Sequence, residues 1–477
     1  MRCFIRLALL VLLLRPADAV GQFGAAASAS VGGADVSVAS VTGPDAIFTN
    51  PARIELDGSR VWLSVGGASA FVGGPLLQFR HYNRAFTDGN VIDQATGREI
   101  VQDWFGDPRL RTKKSAGVAL AAVPVAGVFD INGRQLAFAI RTRMLGNIAI
   151  NGGWLDLLLV GMAEPRNVPL NGDTGLALMT DVAASMRHRL RSDVVAGLTL
   201  RVVLGHEYAE GRLTSTAGIS DRSLTHTFDY VVYSAGSASR DLVSRINVFD
   251  LGSAGGATLK PGVTKIAGLG LGLDFGLDYA RTERTNVSFS LTDVGSVRWT
   301  RDAVKQVPVN NRFYFEGIDF DLDELKEQFE NDIGAYLENK IDSLARDAYE
   351  ETVETRASFS RQLPAAANVG VSHRVLGVRG TLDVGASVPL NRAIGQASRE
   401  PRLHVGLAYR LGDGSVRVPL RAGLQFGGSG AIALGFGFGV ETGSYAFSLG
   451  LAGSPRSDIL GGGGRYAVSV SALQFRF

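Results

Sequence analysis

From about residue 60 onward the chain alternates apolar and small or polar residues with period two, over stretches longer than a soluble sheet requires. Between Gly268 and Tyr279, Leu269, Leu271, Leu273, Phe275, Leu277 and Tyr279 share one face. The other face holds Gly268, Gly270, Gly272, Asp274, Gly276 and Asp278. The same writing recurs in Leu403 to Leu411, Val416 to Phe426, Ile432 to Val440 and Tyr445 to Leu451. Strands of soluble proteins average about five or six residues, and their solvent face carries Lys, Glu and Thr. Here the rows run for nine to twelve residues in their longest cases, which is about what a tilted strand needs to cross ~30 Å of hydrocarbon. The opposite face is Gly, Ala and Ser with scattered Arg and Asp, as a crowded polar lumen would be. Tyr279, Tyr445 and Phe426 stand near the ends of their rows, where an aromatic girdle belongs. The pattern therefore predicts an all-β fold, a transmembrane antiparallel β-barrel, over a soluble sheet.

The two termini agree with that reading. Arg2 and Arg6 precede the apolar run Leu7 to Leu14, and Ala17-Asp18-Ala19 follows as a small-x-small cleavage site. Residues 1–19 read as a secretory signal peptide, since eight apolar residues are too few for a membrane helix. Cys3, the sole cysteine, lies inside it, so an exported mature chain has no disulfide and no Cys-ligated metal. At the other end Leu473, Phe475 and Phe477 share a face, and a terminal aromatic on an amphipathic strand resembles the signal read by the barrel assembly machinery of bacterial outer membranes. Upstream, Tyr466, Val468 and Val470 are in the opposite phase, so either a bulge lies near Ala472 or the strand begins late. The expected location is the outer membrane of a Gram-negative bacterium, reached by the general secretory route, with outer-membrane lipid as a partner. About 380 residues remain for strands, at about 50 to 55 per hairpin with its loops. That gives about fourteen strands, with twelve or sixteen as alternatives.

Between the leader and the first strand, residues 20–59 are rich in Gly, Ala and Ser and include Gly43-Pro44-Asp45-Ala46-Ile47-Phe48-Thr49-Asn50-Pro51-Ala52-Arg53-Ile54. Gly43-Pro44 and Asn50-Pro51 are turn signals, and the apolar residues between them need a surface to bury against. A barrel lumen supplies one. This segment looks like that of the long-chain fatty acid transporter superfamily, which includes the outer-membrane barrel component of the type IX secretion system. The overall layout is similar to an uncharacterised Bacteroidetes-type branch of it. The resemblance implies a hatch, or plug, inside a fourteen-stranded barrel, with Asn50, Pro51 and Ala52 as gate. Arg53 departs from the glycine those transporters usually carry after Asn-Pro-Ala.

The period changes between Glu316 and Glu354, where Leu322, Leu325, Phe329, Ile333, Tyr336, Leu337, Ile341, Leu344 and Ala348 recur at helical steps. Fourteen acidic residues against three basic ones give this stretch a net charge of −11. It is an acidic helical insertion that cannot cross a bilayer, and it is either packed at the barrel mouth or a docking element for an exported protein. Asp319, Asp321, Asp323 and Glu330 match four places of a calcium loop, but Glu324 stands where glycine is required. The domain reading is then 1–19 signal, 20–59 plug, 60–312 first part of the barrel, 313–356 insertion and 357–477 second part.

The chemistry of an enzyme is not evident. His81, His188, His206, His226, His373 and His404 form no metal-binding pair, no Gly-x-Ser-x-Gly elbow is present, and no cofactor motif stands outside a strand. A net charge of +2 argues against nucleic acid. Parity places Asp274, Asp278, Arg379, Asp383, His404, Arg410, Arg417 and Arg421 toward the lumen, either paired among themselves to hold the plug or lining a path. The leading expectation is passage of a hydrophobic or amphiphilic compound through a hatch-gated lumen. The alternative is a scaffold that docks exported proteins, as the type IX secretion resemblance implies.

Overall fold

The computed structural model describes residues 38–477, apart from 57, 78–91, 163, 246–264, most of 317–351, 376–378, 395–400, 413, 428–431 and 455–463. The signal peptide, Cys3, the start of the plug segment and nearly all of the acidic insertion lie outside the described residues.

The alternating rows form the wall of a closed cylinder of fourteen antiparallel strands, as the sequence predicts. In chain order they are β1 (Val61–Gly74), β2 (Lys113–Ile131), β3 (Arg134–Asn151), β4 (Gly172–Arg189), β5 (Val194–Ile219), β6 (Gly268–Thr282) and β7 (Thr285–Trp299). They continue with β8 (Ala366–Val375), β9 (Gly380–Pro389), β10 (Arg402–Leu411), β11 (Val416–Gly427), β12 (Ala433–Thr442), β13 (Tyr445–Gly453) and β14 (Gly464–Arg476). Each pairs with its neighbour, and β14 returns to β1 from Trp62↔Arg476 to Gly74↔Gly464, so the cylinder closes on itself. Among the described residues no helix is long and apolar enough to cross a membrane. The strands do so instead. Leu271 is 71% exposed, Phe436 61% and Leu200 59%, while the alternate Gly, Ala, Ser and charged positions point inward and are buried. Tyr279, Tyr445 and Phe477 are exposed at one rim, Phe426 and Tyr466 at the other.

The connections give the barrel two unlike ends. Short turns, such as Asn132-Gly133 between β2 and β3, cluster where β1 begins and β14 ends. Both turn residues have positive φ, as the tight turn that matches strand twist requires. Every long connection leaves the opposite end. There β5 continues past the membrane band and pairs with Leu224–Ala235, which carries Val304–Pro308 and Arg312–Phe315 on its other side. Thr352–Arg356 pairs with Val304–Pro308, so both flanks of the acidic insertion stand at the long-loop end. Helices α1 (Gln94–Phe105), α2 (Gly152–Val160) and α3 (Ser237–Arg245) lie in the long connections of the same end.

Bulges set the local phase. Pro124 has no N–H to give to the ladder, and the β2–β3 register shifts there. A second shift between β13 and β14 places an extra residue beside Ala472. It keeps Tyr466 and Val468 outward together with Leu473 and Phe477, which resolves the phase flip in favour of the bulge.

Candidate functional site

Val38–Leu56 enters the lumen from the short-turn end and lies against the inner wall. Asn50 is fully buried and organises the bend. As the residue before proline it is extended (φ −152°, ψ 99°) and caps the short 3-10 turn Pro51–Arg53. Its Oδ1 accepts from the Ala52 N–H at 3.1 Å, and its Nδ2 donates to the Val38 carbonyl at 2.9 Å. One side chain thus ties two passes of the segment together.

The wall meets this backbone with glycine. A Cβ on Gly197 would collide with Pro51 and Ala52, and one on Gly276 with Asn50. Arg187 Nε donates to the Ala52 carbonyl at 2.9 Å, and Thr199 Oγ1 to the Ile47 carbonyl at 3.2 Å. Arg53 Nη1 pairs with Asp278 at 3.1 Å, and Gln474 Nε2 donates to Asp45 at 3.4 Å from the β14 side of the wall. Ile47, Phe48 and Ile54 bury against Ala126, Val128, Ala137, Ala139 and Ala183, whose small side chains leave room for them.

Above the plug, toward the long-loop end, the lumen is crossed by a fully buried network of three arginines and three aspartates. Arg141 and Arg143 project from β3, Asp181 from β4, Arg201 from β5, Asp274 from β6 and Asp293 from β7. Arg141 Nη2 meets Asp181 at 2.8 Å, and Arg143 Nη2 meets Asp293 at 2.8 Å. Arg201 touches Asp293 at 2.8 Å, Asp274 at 2.9 Å and Asp181 at 3.1 Å. Charges withdrawn from water persist only when paired and hydrogen-bonded in this way. The Arg141 guanidinium also lies 4.0 Å from the centroid of the Phe48 ring, so the network rests on the plug through a cation–π contact.

Above the network lies a cavity of about 260 Å³ that reaches the long-loop end, lined in part by Met179, Tyr208, Trp299, Leu363 and Ile394.

The residues singled out by parity divide among these features. Asp274 belongs to the charge network and Asp278 to the plug contact. Asp383 and His404 are buried on the inner face of β9 and β10, with His404 packed over Gly385. Arg421 is half-buried on β11, Arg410 and Arg417 are exposed at the short-turn ends of their strands, and Arg379 is exposed in the turn before β9. The eight do not converge on one site. Arg141, Arg143, Asp181, Arg201 and Asp293 were not singled out. Parity alone would have found Arg141, Arg143 and Arg201, each opposite an apolar row, but pairing them with their aspartates needs the register between strands. Among the described residues no cluster of His, Cys, Asp or Glu is arranged to hold a metal.

The architecture is that of a plugged transmembrane β-barrel. The chain belongs to the family of unknown function DUF5723, whose model matches residues 77–450. No curated protein matches the sequence. Among solved structures it is similar to the Ralstonia pickettii toluene transporter TbuX, at 11% identity over 94% of this chain and 98% of the other, with a TM-score of 0.49. A Pseudomonas aeruginosa FadL homologue matches at 14% identity over 97% and 100%, with a TM-score of 0.46. The Pseudomonas putida toluene transporter TodX matches at 10% identity over 94% and 98%, with a TM-score of 0.43.

Proposed function

We propose that this barrel sits in the outer membrane of a Gram-negative bacterium and passes a hydrophobic or amphiphilic compound through a lumen gated by its N-terminal segment, with Asn50, Pro51 and Ala52 at the gate. The observation that carries the reading is the seating of Val38–Leu56. The segment occupies the lumen below an accessible cavity, and its polar links to the wall are a few side-chain hydrogen bonds and ion pairs on separate strands. Such a plug can shift without unpairing any strand of the cylinder. The buried charge network above it makes a wide aqueous pore a poor description of the path.

A disulfide between the plug and the wall tests the gate. A Cβ built on Gly370 lies 3.3 Å from the Ala39 Cβ, close to the ~3.5–4.5 Å that a disulfide spans, and 2.5 Å from Val38 Cγ1, which must turn aside to admit it. The Ala39→Cys, Gly370→Cys double variant adds the only cysteines beyond Cys3. In reconstituted vesicles, uptake of radiolabelled palmitate and of radiolabelled toluene is measured before and after oxidation. Oxidation should stop uptake of whichever probe is carried, and dithiothreitol should restore it. Uptake indifferent to the crosslink would sink the gate.

A further inference from the structure

We infer that α2 is a membrane-surface element: it lies outside the cylinder at the long-loop end, with its free apolar face in the lipid of the outer leaflet. The inference goes beyond the transport reading and does not depend on the gate.

The sequence of the helix comes first. α2 reads Gly-Gly-Trp-Leu-Asp-Leu-Leu-Leu-Val. Nine residues rise about 14 Å, too little to cross ~30 Å of hydrocarbon. Its single charge, Asp156, is turned inward and buried, and pairs with Arg166 Nη2 at 3.0 Å. Gly152 and Gly153 are buried on the same side, where a Cβ on Gly153 would run into the Pro169 carbonyl. The opposite side carries Leu155, Leu158 and, just past the end of the helix, Met162, at steps of three and four. Leu158 is 76% exposed and Met162 56%. The helix therefore hides its carboxylate and shows its leucines, the reverse of what a helix facing bulk water does.

Strand parity says where that face looks. Val182 and Met186 are exposed on the lipid side of β4, and alternate residues back to Gly172 share that side. Gly172 pairs with Leu213, so Leu213 and, at alternate positions, Ala217 and Ile219 carry the lipid side of the wall onto the extension of β5. Trp154 packs against the cluster of Leu213 and Phe228, and Leu157 against that of Ala217 and Ile219. α2 thus sits on the outer face of the sheet, beside the cylinder and not over its mouth. Its height follows from β3. The helix begins directly after Asn151, the last residue of that strand, and Ile148 in the lipid-facing row is still 46% exposed. Asn151 fixes this level: its Oδ1 accepts from the Asn171 N–H at 2.9 Å, and its Nδ2 donates to the Pro169 carbonyl at 2.7 Å. Trp154 donates its indole N–H to the Asn171 carbonyl at 3.2 Å. Long loops of such barrels face the cell exterior. A short helix with an uncharged outer side, starting where the lipid-facing row ends and lying outside the wall, meets the boundary of headgroups and acyl chains in the outer leaflet.

The test is spin-label accessibility of the full barrel in vesicles of phosphatidylcholine and phosphatidylglycerol. A nitroxide is placed at Leu158→Cys, with Leu271→Cys on the wall as the lipid reference, and Arg222→Cys in the exposed turn before Leu224–Ala235 as the water reference. Each is made in a chain carrying Cys3→Ser, and each replaces an exposed side chain, so the fold is left alone. Collision with oxygen, which concentrates in lipid, is compared with collision with a water-soluble nickel chelate. The ratio at Leu158 should be severalfold above that at Arg222 and approach that at Leu271. A ratio equal to that at Arg222 would place the face in water and overturn the inference. Low collision with both reagents would mean that protein covers the face. Dipolar broadening that vanishes on dilution with unlabelled chain would then identify a second copy, and its absence another segment of this chain; either result overturns the inference.

Discussion

Arg53 follows Asn50-Pro51-Ala52, and its contacts hold the plug to the wall. Its Nε holds the Val41 carbonyl at 3.3 Å, while its Nη1 pairs with Asp278. The side chain therefore pins the plug to β6. Asp293 shows the opposite economy, one carboxylate shared by three arginines. Its backbone is left-handed (φ 57°), a conformation that Asn adopts about as readily as Asp. Asp293→Asn therefore keeps the local geometry and removes only the charge, leaving Arg143 and Arg201 undercompensated. The expected cost is about 3–5 kcal/mol of barrel stability, measured by urea unfolding in detergent micelles. A cost near zero would show that water already reaches the network.

The long connections are organised by elements that stand clear of the membrane. His226, on Leu224–Ala235, packs against Phe228 and Tyr349, and its Nδ1 lies 3.0 Å from the Tyr349 hydroxyl. Tyr349 comes from the far end of the acidic insertion, so this contact ties that segment to the sheet. Burial pushes the His226 imidazole down to about 4, against about 6.5 for a free histidine. Released from the sheet, it takes up a proton between those values while the packed ring does not. The contact is thus at full strength above about pH 6.5 and weakens as the pH falls toward 4. Hydrogen exchange along Leu224–Ala235, corrected for intrinsic rates, should be faster at pH 5 than at pH 7.5, and His226→Phe should abolish the difference. Unchanged protection in the wild-type chain would remove His226 as the cause. At this scale the sequence is a good guide where a row is long. Gly268 to Tyr279 reads directly as β6, while the flip near Ala472 is legible as either a bulge or a late strand start and the pairing of β13 with β14 selects the bulge. The strand Leu224–Ala235 is twelve residues long, with His226, Phe228 and Tyr230 buried and Thr227 and Asp229 exposed, but its partners Val304–Pro308 and Arg312–Phe315 are five and four residues, too short to show a period.

The whole molecule is defined by closure and by its two unlike ends. Phe477 serves both. Its backbone exchanges hydrogen bonds with Val61, completing the β14–β1 seam, while its ring is 71% exposed and stacks 6.5 Å from Phe475. Phe477→Ala keeps the seam and removes the aromatic surface. We expect the variant to refold from urea into detergent as the parent does, and to reach the outer membrane of cells in severalfold lower amount, read by heat-modifiable migration on gels. Equal amounts in cells would show that the terminal ring is not what the assembly machinery reads.

What the sequence determined by itself is whatever follows from period and side-chain size: a membrane-crossing barrel of about fourteen strands, a lumen face of Gly and Ala able to admit a backbone, and a segment before the first strand that must be buried. These are one-dimensional properties, because alternation assigns each residue to lipid or lumen without reference to any other strand. Tertiary structure decided which lumen residues meet. Arg201 finds Asp181, Asp274 and Asp293 only through the register of β4 to β7. Trp299, Glu210, Arg361 and Arg392 share a cavity only because strands and loops distant in sequence reach one level of the cylinder. Pairing register is set jointly by the patterns of two strands and the turn that joins them, so no single strand carries the information about which residues meet.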